Sequence, residues 1–104
     1  MHIEFNYKNL PASDALETHA REALSNHVGR FSDRITRVEV HFADLNSTHK
    51  HGQNDKRVLF EARPTGMDPL AVESATDDFH TAVSDAVNKL QRVLTTRFER
   101  AATH

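Results

Sequence analysis

Polar and apolar residues alternate at the start of the chain, with Ile3, Phe5 and Tyr7 separated by Glu4, Asn6 and Lys8. A period of two predicts a strand with one buried face. Residues 9–12 contain Pro11 and read as a turn, after which Ser13 or Asp14 can cap a helix by accepting from its unpaired N–H groups. Leu16, Ala20, Ala23, Leu24, Val28 and Phe31 then recur at helical spacing, with His27 inside or beside the stripe. Gly29 lies near the end of this helix, and Ser32 and Asp33 form its exit. From Ile35 the period returns to two: Val38, Val40 and Phe42 face one way, Arg37, Glu39 and His41 the other. Residues 45–55 are polar, contain Gly52 and read as a loop. A third strand follows over residues 56–63, with Val58, Phe60 and Ala62 inward and Arg57, Leu59, Glu61 and Arg63 outward. Pro64, Thr65 and Gly66 open a hairpin connection, and residues 70–73 give a short fourth strand. Thr76 is the expected cap of the last helix, with Asp77 and Asp78 in its first turn, where the helix dipole favours acids. Phe79, Ala82, Val83, Ala86, Val87, Leu90, Val93, Leu94 and Phe98 hold helical spacing beyond it, the longest periodic signal in the chain.

The expected fold class is α+β in the order β-α-β-β-β-α: a four-stranded, mostly antiparallel sheet with two helices packed on one face. A right-handed crossover through the first helix places the first two strands side by side and parallel. Each strand has one apolar face, so the second sheet face stays open and polar. That face would carry Glu4, Asn6, Lys8, Arg37, Glu39, His41, Arg57, Glu61 and Arg63.

With 104 residues the chain suits one core, so one domain over residues 1–104 is expected. No apolar run approaches the about 20 residues that a bilayer-spanning helix needs. Met1, His2, Ile3 and Glu4 hold neither a basic leader nor an apolar stretch, so no secretory signal is expected. Cysteine is absent, which excludes disulfides, thiolate catalysis and cysteine-built metal sites and fits a cytoplasmic setting. The net charge is −2, so any nucleic-acid binding must rest on a local arrangement of charge. Charge is in fact segregated. Asp68, Glu73, Asp77, Asp78 and Asp85 fall in a stretch without Lys or Arg, whereas Lys89, Arg92, Arg97 and Arg100 share the C-terminal part with one acid, Glu99. Taken alone, such runs also fit solvated helix faces with favourable dipole placement.

Four stretches carry more than periodicity: the opening strand MHIEFNYKNL, the helix start SDALETHAREAL, the exit into strand FSDRITRVEVHF and the final helix FHTAVSDAVNKLQRVL. In this order of elements they resemble the hibernation-promoting factor / ribosome-associated inhibitor A family (sigma-54 modulation protein family). The resemblance runs over nearly the whole chain and is most specific in the register of residues 83–94. It implies a steric, non-enzymatic activity without a cofactor. Family members sit on the small ribosomal subunit near the decoding region, across the tRNA and mRNA path, and hold ribosomes idle when growth stops. The chain ends soon after the last helix and so looks like a short form, without the dimerising domain of long members. By position, the resemblance assigns rRNA-phosphate contacts to Lys89 and Arg92, more loosely to Arg97 and Arg100, and to Arg34, Arg37, Lys56 and Arg57. Each can neutralise a phosphate, the main source of affinity for RNA. Two departures stand out: residues 45–73 look longer and less basic than the family pattern, and Thr95 and Thr96 occupy positions where the family often carries bases.

Other chemistry has thinner support. His49 and His51 are a potential metal pair with Asp44 and Asp55 nearby, but a polar loop in a chain with eight histidines explains them as well. Ser13, Asp14 and His19 suggest a triad only by force, because Ser13 is explained by capping and His19 by an exposed helix position. No Gly-x-Ser-x-Gly, phosphate-binding glycine loop or His-Glu-x-x-His is present. His27 reads as a core-edge histidine and Leu59 as one surface leucine on a polar face. The alternative function is a non-ribosomal protein-interaction module, or a homodimer formed through the open sheet face. A free double-stranded-RNA binder is a third and weaker reading. Clustering of Lys89, Arg92, Arg37, Arg57 and Arg63 on one surface favours RNA, and their dispersal among paired acids favours protein.

Overall fold

The computed structural model describes residues 1–45 and 54–102. In chain order it has β1 (His2–Lys8), α1 (Asp14–Val28), a short 3-10 turn (Gly29–Arg34), β2 (Ile35–Asp44), β3 (Lys56–Pro64), β4 (Leu70–Thr76) and α2 (Phe79–Ala102). The sheet order is β1-β2-β3-β4, with β1 parallel to β2 and the other two pairs antiparallel. This is the expected architecture, including the parallel crossover through α1.

The local chemistry explains the elements. After β1, Asn9 takes a positive φ of 64° to turn the chain, a conformation asparagine tolerates. Ser13 then caps α1, its Oγ accepting from the Leu16 amide at 3.2 Å. Tyr7 pins that cap to the sheet, donating to Glu17 Oε2 at 2.7 Å and to the Ser13 carbonyl at 3.1 Å. Desolvation and the neighbouring Glu17 raise the phenol's pKa, so Tyr7 stays a neutral donor. Ala20, Leu24 and Val28 bury one face of α1, and Ala82, Val83, Ala86, Val87, Leu90, Leu94 and Phe98 bury one face of α2. They meet Val38, Val40, Phe42, Val58, Phe60 and Ala62 from the helix side of the sheet. His27 sits at the edge of this core, its Nδ1 3.0 Å from Gln91 Oε1 of α2.

Two boundaries differ from expectation. β4 extends to Thr76 because Ser74, although polar, is buried and donates to Asp85 Oδ2 of α2 at 2.8 Å. The cap of α2 is Asp78 rather than Thr76. Its Oδ2 accepts from the Thr81 amide at 3.0 Å and the Thr81 hydroxyl at 2.8 Å, and these bonds hold its carboxyl below the usual aspartate range. Thr76 instead accepts from the Asp78 amide at 3.1 Å and so positions the cap. Asp77 and Asp78 thus precede the helix, and its first turn holds no acid.

The open sheet face is built in rows. Register aligns Glu4 with Glu39 and Glu39 with Glu61 across three strands. The adjoining row aligns His2, Arg37 and Arg63, and on the other side Asn6, His41, Leu59 and Glu73 fall in line. At its far end the sheet is closed by Leu45, whose amide donates to the Asp55 carbonyl at 2.8 Å. His49 and His51 lie outside the described residues.

Candidate nucleic-acid interface

Of the eight cations singled out by sequence, all but Lys56 fall into two sets with different surroundings. On the open sheet face Arg37, Arg57 and the neighbouring Arg63 each have an acid. Arg37 binds Glu4 and, at 3.2 Å, Glu39. Arg63 in turn reaches Glu39 at 3.8 Å and Glu61 at 3.2 Å, so glutamates and arginines alternate in a chain Glu4, Arg37, Glu39, Arg63, Glu61. Arg57 lies 4.0 Å from Glu73. Such pairs at the surface are individually weak, about 0–1 kcal/mol, but they cancel the field a phosphate would feel.

Lys56 belongs with neither the open face nor the helix end. It turns to the helix side, 2.9 Å from Asp44 and 3.3 Å from Asp55, with Phe79 of α2 6.0 Å away. The hydrogen bond to Asp44 leads in raising its pKa. From Phe79 to Arg97 is 18 residues of α2, so Lys56 stands about 27 Å from the end where the arginines gather, at ~1.5 Å rise per residue.

The second set surrounds the C-terminal half of α2. Lys89 donates to the Glu73 carbonyl at 2.9 Å, and Arg97 to the Asp68 carbonyl at 2.7 Å. Arg34 lies with its Cζ 3.8 Å above the Phe98 ring. Arg92 joins Arg30, Asn88, Gln91, Thr95 and Thr96 in one groove, and Val93, Thr96, Arg97 and Arg100 in the next. Neutral carbonyls therefore orient Lys89 and Arg97, and a ring backs Arg34. Among the described residues no carboxylate lies within 4.0 Å of Arg30, Arg34, Lys89, Arg92 or Arg97. Their charge is left available to an outside anion.

Arg30 was not singled out by sequence. It donates to Thr95 Oγ1 at 2.9 Å and stacks at 4.6 Å over Phe31, which makes it the bridge between the 3-10 turn and α2. Thr95 and Thr96, threonines where bases were expected, line the same groove and supply hydroxyls.

Two other clusters bear on the chemistry. Glu39, His41 and Glu61 bring potential ligand atoms within 4.8 Å of one another on the open face. Arg37 and Arg63 already answer both carboxylates, which disfavours an added cation there. Ser13, Asp14 and His19 do not converge: the Ser13 hydroxyl is spent on the cap, and the His19 ring packs against His80 at 4.5 Å. Among the described residues no helix is long and apolar enough to cross a membrane.

Comparison with known proteins agrees with this architecture. The chain is similar to a ribosomal subunit interface protein from Coxiella burnetii, with a TM-score of 0.75 and 20% identity over 95% of this chain and 99% of that one. It is also similar to the N-terminal domain of Thermus thermophilus Protein Y, with a TM-score of 0.71 and 22% identity over 94% and 99% of the two chains. At this identity the likeness speaks for the fold. No curated protein matches by sequence. The signature of one ribosome-associated family, which is not an enzyme family, spans residues 3–102, and the chain belongs to that family, sigma 54 modulation protein / S30EA ribosomal protein.

Proposed function

We propose that this protein binds the small ribosomal subunit in the cytoplasm and idles translation by occupying space there, without catalysis or a cofactor. The segregation of charge carries the reading. Arg30, Arg34, Lys89, Arg92 and Arg97 keep their charge for an outside anion, whereas Arg37, Arg57 and Arg63 of the sheet face are matched to acids. Arg30, Lys89, Arg92 and Arg97 are the contacts with rRNA phosphates, with Arg34 and Arg100 in the adjoining grooves. Arg37 and Arg57 take part in the sheet's own ion pairs, and Lys56 ties the far end of the sheet. Family membership and the resemblance to a ribosomal subunit interface protein supply the ribosome as the RNA in question.

The test is co-sedimentation of the purified protein with small subunits across a salt series. Binding should weaken steeply with salt, with a slope of about −0.9 per phosphate neutralised if the rRNA is duplex-like. The double variant R92A/R97A should bind more weakly and lose about two units of slope. Wild-type sedimentation behaviour of that variant at every salt concentration would overturn the site. Absence of wild-type binding at low salt would favour the protein-interaction or homodimer reading, for which the charge-matched sheet face is the candidate surface.

A further inference from the structure

The end of the helix pair holds an aromatic and guanidinium ladder that phosphate binding does not require. Arg30 lies over Phe31 at 4.6 Å, Phe31 packs against Phe98 at 4.9 Å, and Arg34 lies over Phe98 at 3.8 Å. Phe98 is buried, with 4% of its surface exposed, whereas Arg34 is exposed. One side of the Arg34 guanidinium is thus backed by a fixed ring and the other is open to solvent. A plane held this way is a stacking surface, since unpaired bases stack on arginine planes as they do on aromatic rings.

The groove beside it is lined by Arg30, Phe31, Arg34, Thr95, Phe98 and Glu99, with Ala102 at its end. Its volume of about 230 Å³ lies below the ~300–1,000 Å³ of sites for drug-sized ligands and suits one planar ring system. Glu99 decides what kind of group belongs there. Its carboxylate opposes a phosphate, but it can accept from an exocyclic amino group of a base. The neighbouring groove of Arg30, Asn88, Gln91, Arg92, Thr95 and Thr96 contains no carboxylate. The two grooves share Arg30 and Thr95, so a phosphate in one and a base in the other lie on one continuous strip.

We infer that the Arg34–Phe98 groove is a stacking seat for one unpaired nucleobase of the bound RNA. The inference rests on the ribosomal reading above and adds to it a single-stranded contact: phosphates position the RNA, and this base contact requires an extruded or looped nucleotide.

The experiment compares two short single-stranded oligoribonucleotides of equal length. One carries a central 2-aminopurine, the other an abasic residue at the same place, so the phosphates are equal in number. The wild-type protein should bind the base-bearing strand about fivefold or more tightly, in line with stacking on a platform, and should change the 2-aminopurine fluorescence. Arg34→Lys keeps the charge but loses the plane. It should abolish the base preference and the fluorescence change while leaving the salt dependence as in wild type. Arg34 is exposed, so this variant should fold, which a parallel melting curve checks. Equal binding of the two strands by wild type overturns the stacking seat, as does a base preference that survives Arg34→Lys. Failure to bind either strand, in protein that does co-sediment with small subunits, also overturns it. Failure of wild type to co-sediment with small subunits is a separate result and sinks the ribosomal reading itself.

Discussion

Asp78 caps α2 with a charge as well as an oxygen. Its carboxylate accepts from the Thr81 amide and hydroxyl, and these bonds depress its pKa. A carboxyl whose folded pKa is depressed contributes stability above its unfolded pKa and loses it as pH falls through the folded value. Asp78→Asn keeps a capping oxygen and removes the charge. The variant should therefore melt below wild type at neutral pH, and the gap should close as pH falls through and below the ordinary aspartate range. A gap that is constant over the whole pH range would mean that the charge does no work there. Leu94 raises a different issue at the same scale. It is fully buried under α2 against the sheet. Truncation to alanine removes buried methyl groups and leaves a cavity, at a cost of about 2–5 kcal/mol. Urea unfolding of Leu94→Ala checks this, and a loss under about 1 kcal/mol would show a core that collapses around the gap.

At the scale of elements, the link between β1 and α1 depends on one serine. Ser13 caps α1, while its carbonyl and Glu17 hold the Tyr7 hydroxyl. Ser13→Ala leaves the backbone bond to Tyr7 in place and removes only the cap, so the loss should be about 1 kcal/mol. A thermal melt reads it; Tyr7→Phe in the same background tests whether the two contacts add, as independent sites would. The elements themselves were legible in the sequence because their periods run long: two in β1, in β2 from Arg37 onward and in β3, and helical spacing in α1 and α2. Legibility failed where a polar residue acts as a buried one. Ser74 is hidden by its bond to Asp85, a partner 11 residues away, so alternation alone ended β4 early. Arg30 was illegible for a related reason. Its direction depends on the 3-10 geometry of Gly29–Arg34 and on the ring of Phe31, neither of which a periodic pattern specifies. The placement of Lys89, Arg92 and Arg97 off the buried face of α2 was legible because a long helix with one buried face leaves few directions for the rest.

At the scale of the whole molecule, a chain of net charge −2 can hold RNA only if its two faces have different jobs, and this sets up two variants with opposite salt signatures. In the sheet face, Arg37 and Arg63 stand between glutamates that register aligns directly across strands, Glu4 with Glu39 and Glu39 with Glu61. Like charges directly opposite in a sheet repel. R37Q/R63Q removes the cations and leaves that row unrelieved, so the protein should lose stability, by about 1 kcal/mol or less per pair lost. Salt screens the remaining repulsion, so the deficit in a urea titration should shrink as ionic strength rises. Small-subunit binding by this variant should stay close to wild type, because those arginines were already spent on acids. R92Q/R97Q should behave in the opposite way. The fold loses no ion pair and only Arg97's exposed bond to the Asp68 carbonyl, so its stability should fall by about 1 kcal/mol or less, independent of salt, while subunit binding falls and its salt slope flattens by about two units. If instead R37Q/R63Q weakens subunit binding as much as R92Q/R97Q does, the sheet face contacts RNA as well. The division of the molecule into a self-neutralised face and a charge-bearing one would then be wrong.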